Sequence, residues 1–303
     1  MLYVVPTPIG NLEDITLRAL KTLENADLIA AEDTRHTLGL LEHFGIKKPV
    51  VSYYEHNKIA RGPELIGKLE EGADIALVSD AGMPGICDPG WELVRDCIDR
   101  GIEVTVLPGA CACVTALVLS GLSTAEFVFE GFIPVEKKQR RAFFEGLLRE
   151  KRTAVFYEAP HKLVRSLEEL DALLSEAGQS DRRFAAMREL TKTHEEALRG
   201  SVAELLAHFR ETAPRGEFVL CLEGVGETAA EADRPEPDAE EIGRAYSALL
   251  SEGRTPKDAL KEITARYGIS RNIAYKLIKV EGSGIIPAAS TPDGRGQSSK
   301  GLA

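Results

Sequence analysis

The stretch Asp74–Gly90, DIALVSDAGMPGICDPG, decides how the rest of the chain is read. Ile75–Val78 is a short apolar run that Ser79-Asp80 brings to an end. A loop carrying Gly82, Pro84 and Gly85 then leads through Asp88-Pro89-Gly90 into the amphipathic segment Trp91–Arg100. This is strand, open loop, helix. Asp88 suits a helix N-cap, because its carboxylate accepts the free N–H groups of a first turn, and Pro89 suits the first helical position, where no donor is needed. Gly82 and Gly85 lack a Cβ, so the backbone there turns sharply and a flat ligand can lie against it. In an open α/β sheet such a loop sits at the carboxyl end of a strand, where ligands bind. Ligand contact is expected at Ser79–Pro84, and helix initiation alone from Asp88–Gly90.

The same unit recurs on both sides of this stretch. Leu2–Val5 is a strand ending at Pro6-Thr7-Pro8-Ile9-Gly10-Asn11, followed by helical spacing at Leu17, Leu20 and Leu23. Leu28–Ala31 and Pro49–Ser52 are strands followed by helices, the second near Glu64–Glu70. Ile102–Leu107 is a fifth strand, closed by Pro108-Gly109 and a helix over Ala110–Leu122. Five strands alternating with helices predict an α/β domain with a parallel, helix-covered sheet over residues 1–122. From residue 123 to 226 the pattern changes: strands at Phe127–Glu130, Thr153–Tyr157, Arg183–Arg188, Glu196–Arg199 and Glu217–Glu223 predict a second α/β domain with a mixed sheet. Residues 227–238, rich in Ala, Glu, Asp and Pro, read as a linker. Residues 239–282 read as a helical appendage, and 283–303, with Ser, Gly and Pro, as a disordered tail.

The 303 residues carry a formal charge of −11, which excludes a chain that coats nucleic acid with its whole surface but leaves local patches open. Five cysteines without a CxxC pair exclude a disulfide framework, and Cys111-Ala112-Cys113 lacks zinc-knuckle spacing, so reduced thiols and no metal site are expected. With no basic leader and no apolar stretch of membrane-spanning length, the chain is assigned to the cytoplasm and away from membranes.

Three edge loops combine Gly, Pro and a small polar residue: Pro8-Ile9-Gly10-Asn11, Ser79–Pro84 and Pro108-Gly109-Ala110. One alone would be a turn; three at one sheet edge predict a ligand cleft. Neither GxxxxGK[ST] nor a GxGxxG after a strand is present, so the cleft is not built around phosphate. Positive charge is local. Pro134–Arg152 holds seven Lys or Arg against three Glu, with Lys137 and Arg140 as candidate phosphate contacts. Arg254–Val280 holds seven against two acidic residues. Pro256–Tyr267, a Gly-containing turn and Arg271–Val280 have the pattern of a helix-turn-helix that would present Arg271, Lys276 and Lys279.

Taken together, PTPIGNLEDITLRAL, AEDTRHT, SDAGMPGICDPG, VLPGACACVTALVLSGL, FYEAPHKL, RELTKTHEE and RGEFVL resemble the ribosomal RNA small subunit methyltransferase I family of the tetrapyrrole methylase superfamily. The likeness runs in order from about Leu2 to Glu223. It implies a homodimer of two-domain α/β subunits that bind S-adenosylmethionine (SAM) between the domains. The implied reaction is 2'-O-methylation of a cytidine in 16S ribosomal RNA of the small subunit. Ala110 departs from a second proline expected in that turn, which leaves the turn less rigid. Carried over by residue, the SAM site would comprise Pro8, Gly10, Asn11, Ser79, Asp80, Ala81, Gly82, Pro108 and Gly109, mainly through backbone groups. Tyr157, Glu158 and Leu190 of the second domain would close over the ligand.

The transfer needs alignment of the 2'-oxygen with methyl and sulfur, no metal, and a base for the hydroxyl proton, which is worth roughly 10²- to 10⁴-fold. Asp33 and Arg35 are assigned to positioning and His56 to the base. Two other readings remain at this stage: a methylase of a tetrapyrrole or other small molecule, and a nucleotide-sensing DNA-binding regulator.

Overall fold

The computed structural model describes residues 1–226, 239–267, 274, 275 and 278. The chain divides into two compact units at residue 226.

Within the first unit, β1 (Leu2–Val4), β2 (Leu28–Ala31), β3 (Val50–Ser52), β4 (Ile75–Val78) and β5 (Val104–Val106) form one sheet of order β3-β2-β4-β1-β5. All its pairs are parallel; Leu2, for example, stands beside Ile75 on one side and Val104 on the other. Every residue of the inner strands β2 and β4 is buried, which is why both read as unbroken apolar runs instead of alternating ones. Helices α1 (Leu17–Asn25) and α2 (Thr34–His43) bury Ala19, Leu23 and Leu41 on one face. Helices α3 (Lys58–Glu70) and α4 (Trp91–Asp99) bury Leu65, Leu69, Leu93 and Cys97 on the other. Helix α3 starts at Lys58, ahead of the segment expected from its apolar spacing. Asp88 does not cap α4: the residue before that helix is Gly90, at φ 146°, where a Cβ would lie 2.9 Å from Leu77 Cδ2.

The second sheet contains β6 (Phe127–Phe132), β7 (Thr153–Glu158), β8 (Phe184–Arg188), β9 (Glu196–Gly200) and β10 (Phe218–Leu222), in the order β6-β7-β10-β8-β9. Only β6 and β7 run parallel. The last strand is thus inserted at the centre. Its register places Phe218 between Glu158 and Arg188. The β6 ladder slips between Phe129 and Phe132, with Gly131 at φ 71° inside the bulge. Helices α6 (Lys137–Leu147), α7 (Pro160–Glu176) and α8 (Val202–Glu211) cover one face through Phe144, Leu163, Leu167, Leu170 and Phe209. Pro160 opens α7 at a position that needs no N–H, and Ser201 with Glu204 forms a reciprocal capping box on α8.

Helix α5 (Ala112–Ser120) follows the first sheet but packs on the open face of the second, where Cys113, Ala116 and Leu117 meet Val155, Ala185, Met187, Val219 and Cys221. Its sequence is apolar nearly all round, and the face turned away from that sheet leaves Val114 and Val118 exposed, at 47% and 68%. Arg199 of β9 donates to the carbonyls of Leu119 and Ser120, satisfying acceptors that the helix end leaves open. This helix therefore joins the two sheets, and the carboxyl edge of the first faces the open side of the second.

In the second unit, α9 (Ala239–Ser251) and α10 (Pro256–Tyr267) bury Ile242, Leu249, Leu260 and Ile263 together with Ala274 and Ile278. Thr255 starts α10 by accepting from Asp258 N–H. Arg271, Lys276 and Lys279, the linker at 227–238 and the tail at 283–303 lie outside the described residues. Among the described residues no helix is long and apolar enough to cross a membrane.

Candidate active site

Four of the five first-sheet edge loops converge with the second sheet on a cavity of about 420 Å³. Ile9 comes from the loop after β1, Glu32 from that after β2, Asp80–Met83 and Ile86–Asp88 from that after β4, and Cys111 and Ala112 from the segment after β5. The second sheet supplies Phe132, Tyr157–Pro160, Met187, Leu190 and Glu217–Val219. The volume falls within the roughly 300–1,000 Å³ usual for small-molecule sites.

Backbone pairing holds the loops together. Thr7 and Gly82 exchange both N–H···O bonds, at 2.9 and 3.0 Å, and the Thr7 hydroxyl donates to the Ser79 carbonyl at 3.1 Å. Gly82 has φ +84°, and a Cβ on it would stand 3.2 Å from Ile9 Cγ2. Its N–H and C=O are thus both used by Thr7, so Gly82 offers a ligand close approach instead of hydrogen bonds. Gly10 has a different task from direct contact. A Cβ there would meet Lys192 Cγ at 2.4 Å and the Leu190 carbonyl at 3.0 Å, so the absence of a side chain lets the β1 loop press on the loop after β8. Gly109 likewise lies against the Pro6 ring.

Of the residues assigned to the cofactor from sequence, Asp80, Ala81, Gly82, Tyr157, Glu158 and Leu190 line the cavity. Pro8, Gly10, Asn11, Ser79, Pro108 and Gly109 do not; they belong to the loops that carry the lining residues. Asn11, for example, accepts from Glu13 N–H to start a short 3₁₀ turn at Leu12–Asp14. Glu158 is buried, accepting from the Ser166 hydroxyl and from Ala159 N–H at the start of α7.

The assigned catalytic residues fare differently. Asp33 is the N-cap of α2 and accepts from the Arg35 backbone N–H and from its guanidinium, at 2.8 and 2.7 Å. Those bonds lower its pKa to about 2, so Asp33 holds no proton affinity near neutral pH. Its own N–H donates to Asp80 Oδ1 at 3.0 Å, tying the pair to the cavity rim without lining it. His56 follows the edge strand β3, is exposed beside Tyr54, and is not brought to the cavity. The phosphate contact at Arg140 is overturned: its guanidinium is 5% exposed, paired with Glu169 at 2.8 Å, and bonded to the Val135 carbonyl. Lys137, one turn earlier, is exposed.

Sequence reading passed over Asp88. The backbone at Cys87, φ 65°, turns the chain so that Asp88 faces back into the cavity beside Ser79 instead of forward onto α4. Burial, then the charges of Glu32 and Asp80, push its carboxyl up to about 6, against the opposing hydrogen bond from Ser79. Glu32 is raised as well, by burial and by Asp80 and Asp33, while Asp80 N–H holds it from the other side. The signal that could have found Asp88 is its short separation from Ser79-Asp80 through two glycines, a loop able to fold back on its own strand. Across the cavity, Lys192 bridges Glu189 and Glu217 at 2.9 and 3.0 Å, with Glu189 and Thr191 both in left-handed backbone.

One side of this cavity is apolar, with Ile9, Ile86, Met187, Leu190 and Val219, and another carries clustered carboxylates. This is a donor set for a flat heterocycle with a cationic arm. A family model for tetrapyrrole (corrin/porphyrin) methylases matches residues 1–206. A Synechocystis sp. protein named ribosomal RNA small subunit methyltransferase I is 44% identical over 285 residues, 94% of this chain and 99% of its own. The chain belongs to the ribosomal RNA small subunit methyltransferase I family. Another member of that family, from Thermotoga maritima, is 46% identical over 223 residues, which cover 74% of this chain but 98% of its own length. The remainder of this chain has no counterpart there. Among solved structures, a uroporphyrin-III-C-methyltransferase from Thermus thermophilus shares the fold, with TM-score 0.53 at 23% identity over 73% of this chain and 93% of that one. Members of the ribosomal RNA small subunit methyltransferase I family are methyltransferases that use SAM, and the lining residues fit it. Among the described residues, no group of three His, Cys, Asp or Glu is placed to hold a metal ion.

Proposed function

We infer that the protein methylates the ribose 2'-oxygen of a cytidine in 16S RNA of the small ribosomal subunit, using SAM. The observation that carries this reading is the cavity itself: an apolar slot closed by two sheets, with Glu32, Asp80 and Asp88 gathered along one side. Its membership in a family named for ribosomal RNA methylation supports the substrate. The uroporphyrin-III-C-methyltransferase from Thermus thermophilus is 23% identical, well below the 44% and 46% of the two ribosomal RNA methyltransferase relatives.

When bound, SAM supplies a methyl group on a cationic sulfur that is already a good leaving group. The chain's own residues provide the rest. Ile9, Met187, Leu190 and Val219 exclude water from the adenosine portion, and the acidic side attracts the positive end. The Glu189–Lys192–Glu217 bridge holds the second-sheet rim against the Gly10 loop. Asp88 takes the 2'-hydroxyl proton. A carboxylate with pKa about 6 is a better acceptor near neutrality than Asp33, which is held near 2. Asp33 and Arg35, locked to each other, keep Asp80 in place. Lys137 and the basic residues of the second unit contact RNA phosphates, and the protein acts in the cytoplasm as a homodimer.

The reading is tested by incubating the protein with SAM and small ribosomal subunits and hydrolysing the RNA in alkali. A 2'-O-methyl group removes the attacking hydroxyl, so one cytidine linkage should resist cleavage. Cleavage at every position would overturn the reading, and methylated base in cleavable RNA would move the target atom from ribose to base.

A further inference from the structure

The same cavity contains thiol chemistry that methyl transfer does not use. Cys111, the residue before α5, lines the cavity and is half-buried; Cys113 lies behind it, 5% exposed, with the two Sγ atoms 3.4 Å apart. The arrangement follows from local backbone. Cys111 is extended, at φ −151° and ψ 110°, whereas Cys113 already sits in the first turn of the helix. The Cys113 thiol and the N–H groups of Cys113 and Val114 are directed at the Cys111 sulfur, which lowers its pKa despite partial burial. Cys113 is correspondingly pushed up, by its bond to Cys111 and by burial, and it also contacts the Tyr157 hydroxyl.

The remaining cysteines are held in the opposite state. Cys87 also lines the cavity and is exposed, but partial desolvation of its sulfur and the neighbouring Asp88 raise its pKa. Cys97 and Cys221 are buried in the cores of the first and second sheets and are pushed up to about 11 and about 12. One thiol of lowered pKa therefore faces the cavity, with a second thiol in contact behind it at 3.4 Å. That is the placing of an attacking and a resolving cysteine.

We propose that Cys111 and Cys113 are a peroxide-sensitive pair whose oxidation to a disulfide alters the SAM cavity. In the first step the Cys111 thiolate attacks one oxygen of hydrogen peroxide. An S–O bond forms, the O–O bond breaks, and hydroxide leaves. In the second step Cys113 Sγ attacks Cys111 Sγ, the S–S bond forms and the S–O bond breaks. The Cys113 proton goes to the departing hydroxide as water. Peroxide is reduced and the two thiols are oxidised. The bridge removes the thiolate from the cavity wall and pulls on the first turn of α5, the helix that joins the two sheets.

The experiment uses the full-length protein, limiting iodoacetamide or hydrogen peroxide, and peptide mass spectrometry. Cys111 should alkylate at least about ten-fold faster than each of the other four cysteines, its larger thiolate fraction outweighing the greater exposure of Cys87. Peroxide should produce one internal bridge, read as loss of two hydrogens in the peptide holding both residues and reversed by dithiothreitol. In Cys113→Ser, dimedone should trap a sulfenic acid at Cys111 instead. Isothermal titration with SAM should show weakened binding by the bridged protein, restored by dithiothreitol. Faster reaction at Cys87, or survival of both thiols under peroxide that oxidises free cysteine, would overturn the pair. Formation of the bridge with unchanged SAM affinity would overturn its effect on the cavity. These thiol readings on the wild-type protein hold whether or not Cys113→Ser folds, and they do not depend on the RNA substrate.

Discussion

The two sheets of the first unit build the same cavity in different ways. The parallel sheet contributes loops, all at one edge because all its strands point the same way. The mixed sheet contributes the ends of β7, β8 and β10 together with one open face, so its lining residues come from both directions of the chain. The first wall is shaped by backbone, with Gly82 and Thr7 zipped together; the second is shaped by side chains such as Tyr157, Met187 and the Lys192 bridge. A wall made of backbone should tolerate little substitution, whereas a wall made of side chains should yield gradually.

Gly82→Val is the strongest way to break this contrast. It puts a branched side chain at φ +84° against Ile9, a strain of roughly 1–3 kcal/mol in a residue that zips two loops. SAM binding measured by calorimetry should be lost, and near-normal affinity would show that the backbone wall is not the cofactor side. Next in size is Asp88→Asn, expected to lower kcat by roughly 10²- to 10⁴-fold while SAM binding weakens far less, because Glu32 and Asp80 remain on the acidic side. In the wild type, activity should fall as pH drops through about 6, where Asp88 takes up its proton. The variant should lack that limb, and an unchanged profile would remove Asp88 from the base role.

The same substitution has a stability consequence of opposite sign. Asp88 has its pKa raised in the folded state from 3.8 to about 6, so the folded form binds the proton more tightly than the unfolded one. Wild-type stability attributable to this group is therefore present below pH 3.8 and lost by about pH 6. Above that pH Asp88→Asn should unfold at higher denaturant by roughly 1 kcal/mol, less than the full shift implies because the carboxyl keeps contact with solvent.

Lys192→Met tests the side-chain wall. Glu217 is 77% exposed, so the bridge is screened, and a loss under about 1 kcal/mol in stability with a few-fold weaker SAM binding is expected. Complete loss of binding would show that the second wall is as rigid as the first. Smallest is Lys137→Glu, which should reduce RNA affinity a few-fold and flatten its salt dependence by about one phosphate contact while SAM binding stays intact.

Much of the first wall was legible in the sequence because a βα repeat fixes both strand direction and loop side. Asp80, Ala81 and Gly82 as cofactor contacts came from the family resemblance, whereas that repeat alone pointed to a ligand at the Ser79–Pro84 loop. His56 followed the same logic and missed, since β3 is the edge strand and strand order is not written in the repeat. Asp88 missed for a local reason: Asp-Pro-Gly before an amphipathic run has the composition of a cap, and only the left-handed turn at Cys87 redirects it. Arg140 shows the limit of charge counting, because a basic residue can be recruited inward by a carboxylate a helix away, here Glu169. In the mixed sheet, the central position of β10 depends on antiparallel pairings separated widely along the chain, and no local pattern encodes those.

The bulge in β6 has a further consequence. That strand borders the second sheet, and exposed Phe127 and Phe132 on a regular border would offer a ready template for another chain to add a strand. Gly131 interrupts the ladder so that the border cannot be extended in register, and the same kink swings Phe132 toward the cavity. Straightening it would therefore cost the protein twice, in lost ligand contact and in sticky, fibre-prone edges.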